Sequence, residues 1–260
     1  MVNLNDYGVF YGKVLSLLGI VILPGCIMLL ECAHKAASCF RREEQRYARG
    51  HFAGGLHMAV VYGIFGAVFV AILAPQISGI FCENSLELAT KMLRFGAFVI
   101  LMAVVAFYFT ELLNGLGGKY YVLGLLAVYN LIYTGSLVLF LNGGNAGVMA
   151  LVYGGMIAGA VYVIGAAVIL MRMLKYNIDW LQGIAVPAGA ACAMGLIIMF
   201  IIRVIHPHMG DLITVIVAFV LSNLIYWIFL MVLRNFREQE LGYTPCGKLV
   251  RIIGQMLRVY

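Results

Sequence analysis

Few side chains in this sequence could do chemistry, and the most suggestive of them are cations. Lys13 follows Tyr7 and Tyr11 inside an apolar run, and Lys91 and Arg94 stand i,i+3 apart, which puts them on one helix face. Lysine offers a point charge, whereas arginine can grip two phosphate oxygens at once. These residues could therefore receive an anionic head group such as a diphosphate. They could equally be interfacial anchors whose charge reaches back to the lipid head groups along an apolar stem. Arg203 carries the same two readings, with His206 and His208 beside it as a slender hint of a metal or a pH sensor. Asn114, Asn130, Asn223, Thr134 and Ser222 are uncharged and able to bond across helices. Tyr129, Tyr133, Tyr153 and Tyr162 could stack on sugar rings, or form interfacial belts or interhelical bonds. Glu31 and Glu111 could carry a coupling proton or sodium ion, or pair with a nearby base.

Enzymatic signatures are missing from the sequence. It holds no GxSxG nucleophile elbow and no HExxH, and the "GLGGK" stretch lacks the spacing of a phosphate-binding loop. The six cysteines are scattered without a CxxC pair, so neither a zinc site nor a disulfide framework is indicated. The expectation is a protein that is not an enzyme, with no cofactor and no metal.

The elements that must position these residues follow from composition. The chain has 260 residues, of which 64% are hydrophobic and only 11% charged, and its mean hydropathy is +1.01. Soluble domains carry roughly 25% charged residues, so this chain could not cover a water-facing surface. A bilayer is its natural solvent, and a span there needs about 20 apolar residues. Apolar runs and their breakers predict an all-α polytopic membrane protein of about seven transmembrane helices. These lie near 10–32, 52–74, 93–115, 120–141, 146–171, 183–205 and 212–233, within a helical bundle over 1–234. A basic tail follows over 235–260. The stretches "APQISG", "GLGGK", "NGGN" and "HPHMGD" read as the turns between spans.

Charge sets the expected orientation. Residues 34–52 hold Lys35, Arg41, Arg42, Arg46 and Arg49. With that stretch in the cytoplasm, thirteen Lys and Arg residues fall on its side and four (Lys13, Lys91, Arg94 and Arg203) on the other. The bias predicts an amino terminus outside and a carboxyl terminus inside a multi-pass cell (inner) membrane protein. The net charge of +6 is then a topology signal. No aromatic-basic groove accompanies it, so nucleic acid is excluded as a partner. Gly8 and Gly12, Gly50 and Gly54, and Gly155 and Gly159 have GxxxG spacing, which predicts close helix approach. Pro24 and Pro187 fall inside predicted spans and should bend them.

Several segments in order carry a resemblance. "YGVFYGKVLSLLGIVILPGCIMLLECAHKAAS" followed by "RREEQRYARG" is similar to a span with a mid-helix proline and the cytoplasmic loop after it. "TELLNGLGGKYY", "NAGVMALVYGGMIAGAVYVIGA", "VPAGAACAMG" and "LIYWIFLMVLRNFREQELGYTPCGKLVRIIG" continue the series. Together they resemble the carboxyl half of a polysaccharide-biosynthesis or stage V sporulation protein B-like flippase, of the multidrug/oligosaccharidyl-lipid/polysaccharide exporter superfamily. Members of that family have about fourteen spans in two lobes, and on this resemblance the chain begins at the eighth. It would be one lobe of a two-lobed exporter fold: a fragment, a split subunit that needs a partner chain, or a degenerate copy. The resemblance implies alternating access and a lipid-linked oligosaccharide as substrate, with Lys13, Arg94, Lys91, Tyr11 and Asn130 as candidate contacts. Two rival expectations remain, a cation-coupled antiporter of the multidrug and toxin extrusion type and a non-transporting membrane subunit.

Overall fold

In a computed structural model, residues 4–82, 85–142, 147–175, 181–205 and 210–233 are described. Of these, 94% are helical and none lies in a strand. The elements are α1 (Leu4–Val9), a π-helical turn (Phe10–Val14), α2 (Leu15–Arg41), α3 (Gln45–Phe81), α4 (Leu86–Gly115), α5 (Lys119–Asn142) and α6 (Met149–Leu174). A second π-helical turn (Leu181–Ala185), α7 (Val186–Ile205) and α8 (Asp211–Val232) complete the order. α1, the first π turn and α2 run together as one span, so among the described residues seven helices are long and apolar enough to cross a membrane. The predicted all-α, seven-span architecture is what the chain adopts, and the expected basic tail over 235–260 lies outside the described residues.

α3 is the hub, because its sequence is apolar or small on every side. α2, α4, α7 and α8 all pack on it, α6 packs on α4, and α5 packs chiefly on α6. A helix without a polar face belongs in an interior, and α3 is the most enclosed of the seven while α5 is the least. Lipid tails are as apolar as the side chains, so association must come from close packing and hydrogen bonds rather than from exclusion of water. Both devices are present around α3. Gly25 takes the ring of Tyr62, Gly55 takes Tyr108, and Gly63 lies against Leu101. Three tyrosine hydroxyls then donate to main-chain carbonyls: Tyr62 to Val21 O at 2.7 Å, Tyr108 to Phe52 O at 3.1 Å and Tyr226 to Val61 O at 3.0 Å.

Several expectations change here. The stretch 34–52 is not a loop: α2 continues to Arg41 and α3 starts at Gln45, so only residues 42–44 form the turn. "APQISG" is not a turn either, because α3 runs through Pro75 to Phe81. The missing proline N–H leaves Ala71 O without its helical donor, and one turn on the buried Ser78 hydroxyl joins α3 to α4. It bonds Ala74 O at 2.7 Å and Pro75 O at 3.1 Å, and it meets Thr90 Oγ1 of α4 at 2.5 Å. "GLGGK" does form the α4–α5 turn, with Gly117 at φ +84°, a left-handed conformation that suits glycine. The "NGGN" stretch and His206 and His208 of "HPHMGD" fall almost wholly or wholly outside the described residues. Pro24 lies inside α2, which continues past it. Its ring orphans the Ile20 carbonyl, and Tyr62 bonds the next one, Val21. Pro187 lies within the continuous helical run formed by the second π turn and α7, just after the change from π to α geometry. The GxxxG expectation fails for Gly8, Gly12 and Gly155, which have nothing within 4 Å of a β-carbon.

Candidate functional site

The predicted site residues distribute over the end and the open side of the bundle. Lys13 lies in the first π turn, a form of helix that appears mostly as single turns and frequently at functional sites. Its Nζ donates to Phe81 O, the last carbonyl of α3, at 2.7 Å. A cation at a helix C-terminus satisfies an orphan carbonyl and meets the negative end of the helix dipole. The neighbouring Cys82 thiol is raised by burial, an effect the Lys13 ammonium opposes. Two residues earlier, Tyr11 is 52% exposed.

Lys91 and Arg94 share the exposed face of α4, as their spacing requires. Lys91 is engaged within its own helix, however, with Nζ 2.7 Å from Glu87 Oε1. Such an exposed i,i+4 pair holds its geometry weakly. Arg94 is exposed one turn deeper into the span. Asn130 is exposed on α5, and its Nδ2 donates to Leu126 O of the same helix at 2.8 Å. The structure thus leaves Lys13, Tyr11, the Lys91–Arg94 face and Asn130 as separate groups.

Three of the tyrosines form a continuous series. Tyr129 and Tyr133 stack on each other with ring centroids 6.0 Å apart, and Tyr162 of α6 stands edge-on to Tyr129 at 6.4 Å. The Tyr162 hydroxyl bonds Thr110 Oγ1 of α4 at 2.6 Å. Tyr153 is held between Phe95 and Phe140. Glu31 pairs with Lys35 at 2.6 Å, which matches the pairing alternative for that carboxylate.

The basic stretch has a role that the sequence did not reveal. Arg41 Nε and Nη2 both donate to Gly115 O, the last carbonyl of α4, at 2.9 and 2.5 Å. Arg49 Nε donates to Leu174 O, the last carbonyl of α6, at 2.8 Å. These cations cap the C-termini of other helices, as Lys13 does at the opposite end. No local pattern announces a cap whose partner lies 74 or 125 residues away.

The side formed by α5 is chemically distinct. α5 has the lowest hydropathy of the seven spans and is the most exposed. Asn130 stands 11 residues from one end of it and 12 from the other, about 17 Å from each at 1.5 Å per residue. An exposed carboxamide is thus placed near the middle of a span. Exposed Thr134 follows one turn later, and Gly124 and Gly135 present open backbone. Among the described residues no group of three or more His, Cys, Asp or Glu could hold a metal. Fold and site together define an all-helical multi-pass membrane protein in which α5 is the most exposed span among the described residues. Compared with protein-family models, curated proteins and solved structures, the chain matches none.

Proposed function

We propose that this chain moves a lipid-linked oligosaccharide, or a related polyprenyl-diphosphate intermediate, across the cell membrane for cell-surface polysaccharide assembly. On this reading it is the carboxyl-terminal half of a flippase. The observation that carries the proposal is exposed Asn130 near the midpoint of α5. An unpaired amide oxygen facing lipid is costly, whereas facing a water-filled or ligand-filled path it is not. Lys13, Tyr11 and Arg94 supply cationic and hydroxyl groups toward one end of the bundle, where a diphosphate and its sugar would be received. A partner chain or a further lobe would complete the path by covering the α5 side. The charge bias supports placing residues 41–46 in the cytoplasm and Lys13 outside.

Charged thiol reagents and a flipping assay test this together. In a cysteine-free background, a cysteine at position 130 is expected to react with a charged reagent, while one at Leu196, exposed on α7, stays silent. In proteoliposomes, Asn130→Leu and Lys13→Glu should abolish translocation of a polyprenyl-diphosphate saccharide at normal membrane abundance, with Lys13→Arg retaining part of it. A silent cysteine at 130, or full flipping by both variants, would overturn the reading.

A further inference from the structure

The two ends of the bundle differ in how charge meets the helix dipoles. At the Lys13 end, α1, α4 and α8 carry Asp6, Glu87 and Asp211 in their first turns, where a carboxylate is favoured. At the Arg41 end the pattern reverses. The first turns of α3 and α5 hold no acid and instead carry Arg46 and Lys119, cations added to the positive ends of two helices. Among the described residues that end gathers seven cations around Arg41, Arg49 and their neighbours against three carboxylates. With the ion pairs Glu31–Lys35 and Glu87–Lys91 set aside alike, the Lys13 end has three cations against two.

Two of the seven are spent on structure, Arg41 on Gly115 O and Arg49 on Leu174 O. Those bonds draw the α2–α3 turn, the α4–α5 turn and the end of α6 together. The other five, Arg42, Arg46, Lys119, Arg172 and Lys175, are exposed, and none forms an ion pair with a described residue. Left alone, five like charges on joined turns repel one another, and the helix N-termini of α3 and α5 add to the positive field. The complement is a layer of fixed negative charge at the depth where spans end, and anionic phospholipid head groups are such a layer.

We propose that the Arg41 end of the bundle is a docking surface for anionic phospholipids, which bind through their phosphates to Arg42, Arg46, Lys119, Arg172 and Lys175. The inference needs only the membrane embedding of the helices and is independent of the transport reading. It is tested with the full chain in vesicles of phosphatidylcholine containing about 20% phosphatidylglycerol. Spin-labelled lipids then report the ratio of the two lipids at the protein surface. Phosphatidylglycerol should be preferred, and the preference should weaken with salt. Each cation removed should lower it by roughly fivefold at most, the factor equivalent to about 1 kcal/mol per basic residue. Arg42→Gln with Arg46→Gln, and separately Lys119→Gln with Lys175→Gln, should each reduce it severalfold at unchanged helicity. Arg203→Gln, at the other end, should leave it intact. Equal association of both lipids with the native chain would overturn the proposal, as would an equal loss in the Arg203 control. So would a preference that inorganic phosphate abolishes where chloride of the same ionic strength does not, since the patch would then serve a soluble anion.

Discussion

Replacing Gly55 with alanine tests the packing of the hub. A β-carbon at Gly55 would fall 2.5 Å from Tyr108 Cζ and 2.7 Å from its Cε2. The ring cannot swing aside cheaply: Tyr108 is fully buried, stacked on Phe52, and its hydroxyl donates to Phe52 O and His51 O. Overpacking of this kind costs about 1–3 kcal/mol. Moving the hydroxyl off its acceptors leaves a buried donor unsatisfied for about 1–3 kcal/mol more. Alanine's better helix propensity offsets about 1 kcal/mol. The expected loss is about 3 kcal/mol, a factor of roughly 150 in the folding equilibrium. Far-UV circular dichroism, followed while a denaturing detergent is titrated into mixed micelles, reads the shift. Gly12→Ala, in open space, should leave the midpoint unchanged or raise it. Tyr108→Phe in the Gly55→Ala background should recover part of the loss, because the crowding oxygen is gone. A wild-type midpoint for Gly55→Ala, or an equal loss for Gly12→Ala, would refute this account of α3.

Tyr226→Phe removes the hydroxyl that joins α8 to Val61 O on α3 and should destabilise the bundle by about 1 kcal/mol, read by the same titration. Arg49→Gln deprives α6 of its C-terminal cap and should cost about 0.5–1 kcal/mol, with faster amide exchange in the last turn before Leu174 and no change near Gly115.

The spans were legible in the sequence because a bilayer imposes length and hydropathy on any helix that crosses it. Expected limits of 120–141 and 212–233 fall within a residue of Lys119–Asn142 and Asp211–Val232. The misplaced limits lie where helices extend beyond the apolar run. Nothing in the charges of residues 34–52 forbids helix, and only the three residues 42–44 break it. Pro75 read as a turn because proline marks a helix boundary in sequence, whereas α3 continues through it to Phe81 within the packed bundle. Glycine spacing marked faces able to approach, but which glycines are used depends on the helix opposite. Gly55 and Gly25 receive tyrosine rings, while Gly8 and Gly12 face open space. For the site, residue types were visible and their partners were not. Lys13 reads as a lone intramembrane cation until Phe81, 68 residues away, supplies its acceptor.

That bond changes what Lys13 can do on the proposed reading. A diphosphate arriving at Lys13 would exchange a neutral carbonyl for an anion, and Phe81 O would lose its cap. Capture at this position therefore loosens the end of α3, the helix on which α2, α4, α7 and α8 all pack. A ligand that competes for the lysine therefore acts on the hub through a single carbonyl, so recognition at this end and the packing of α3 become one event.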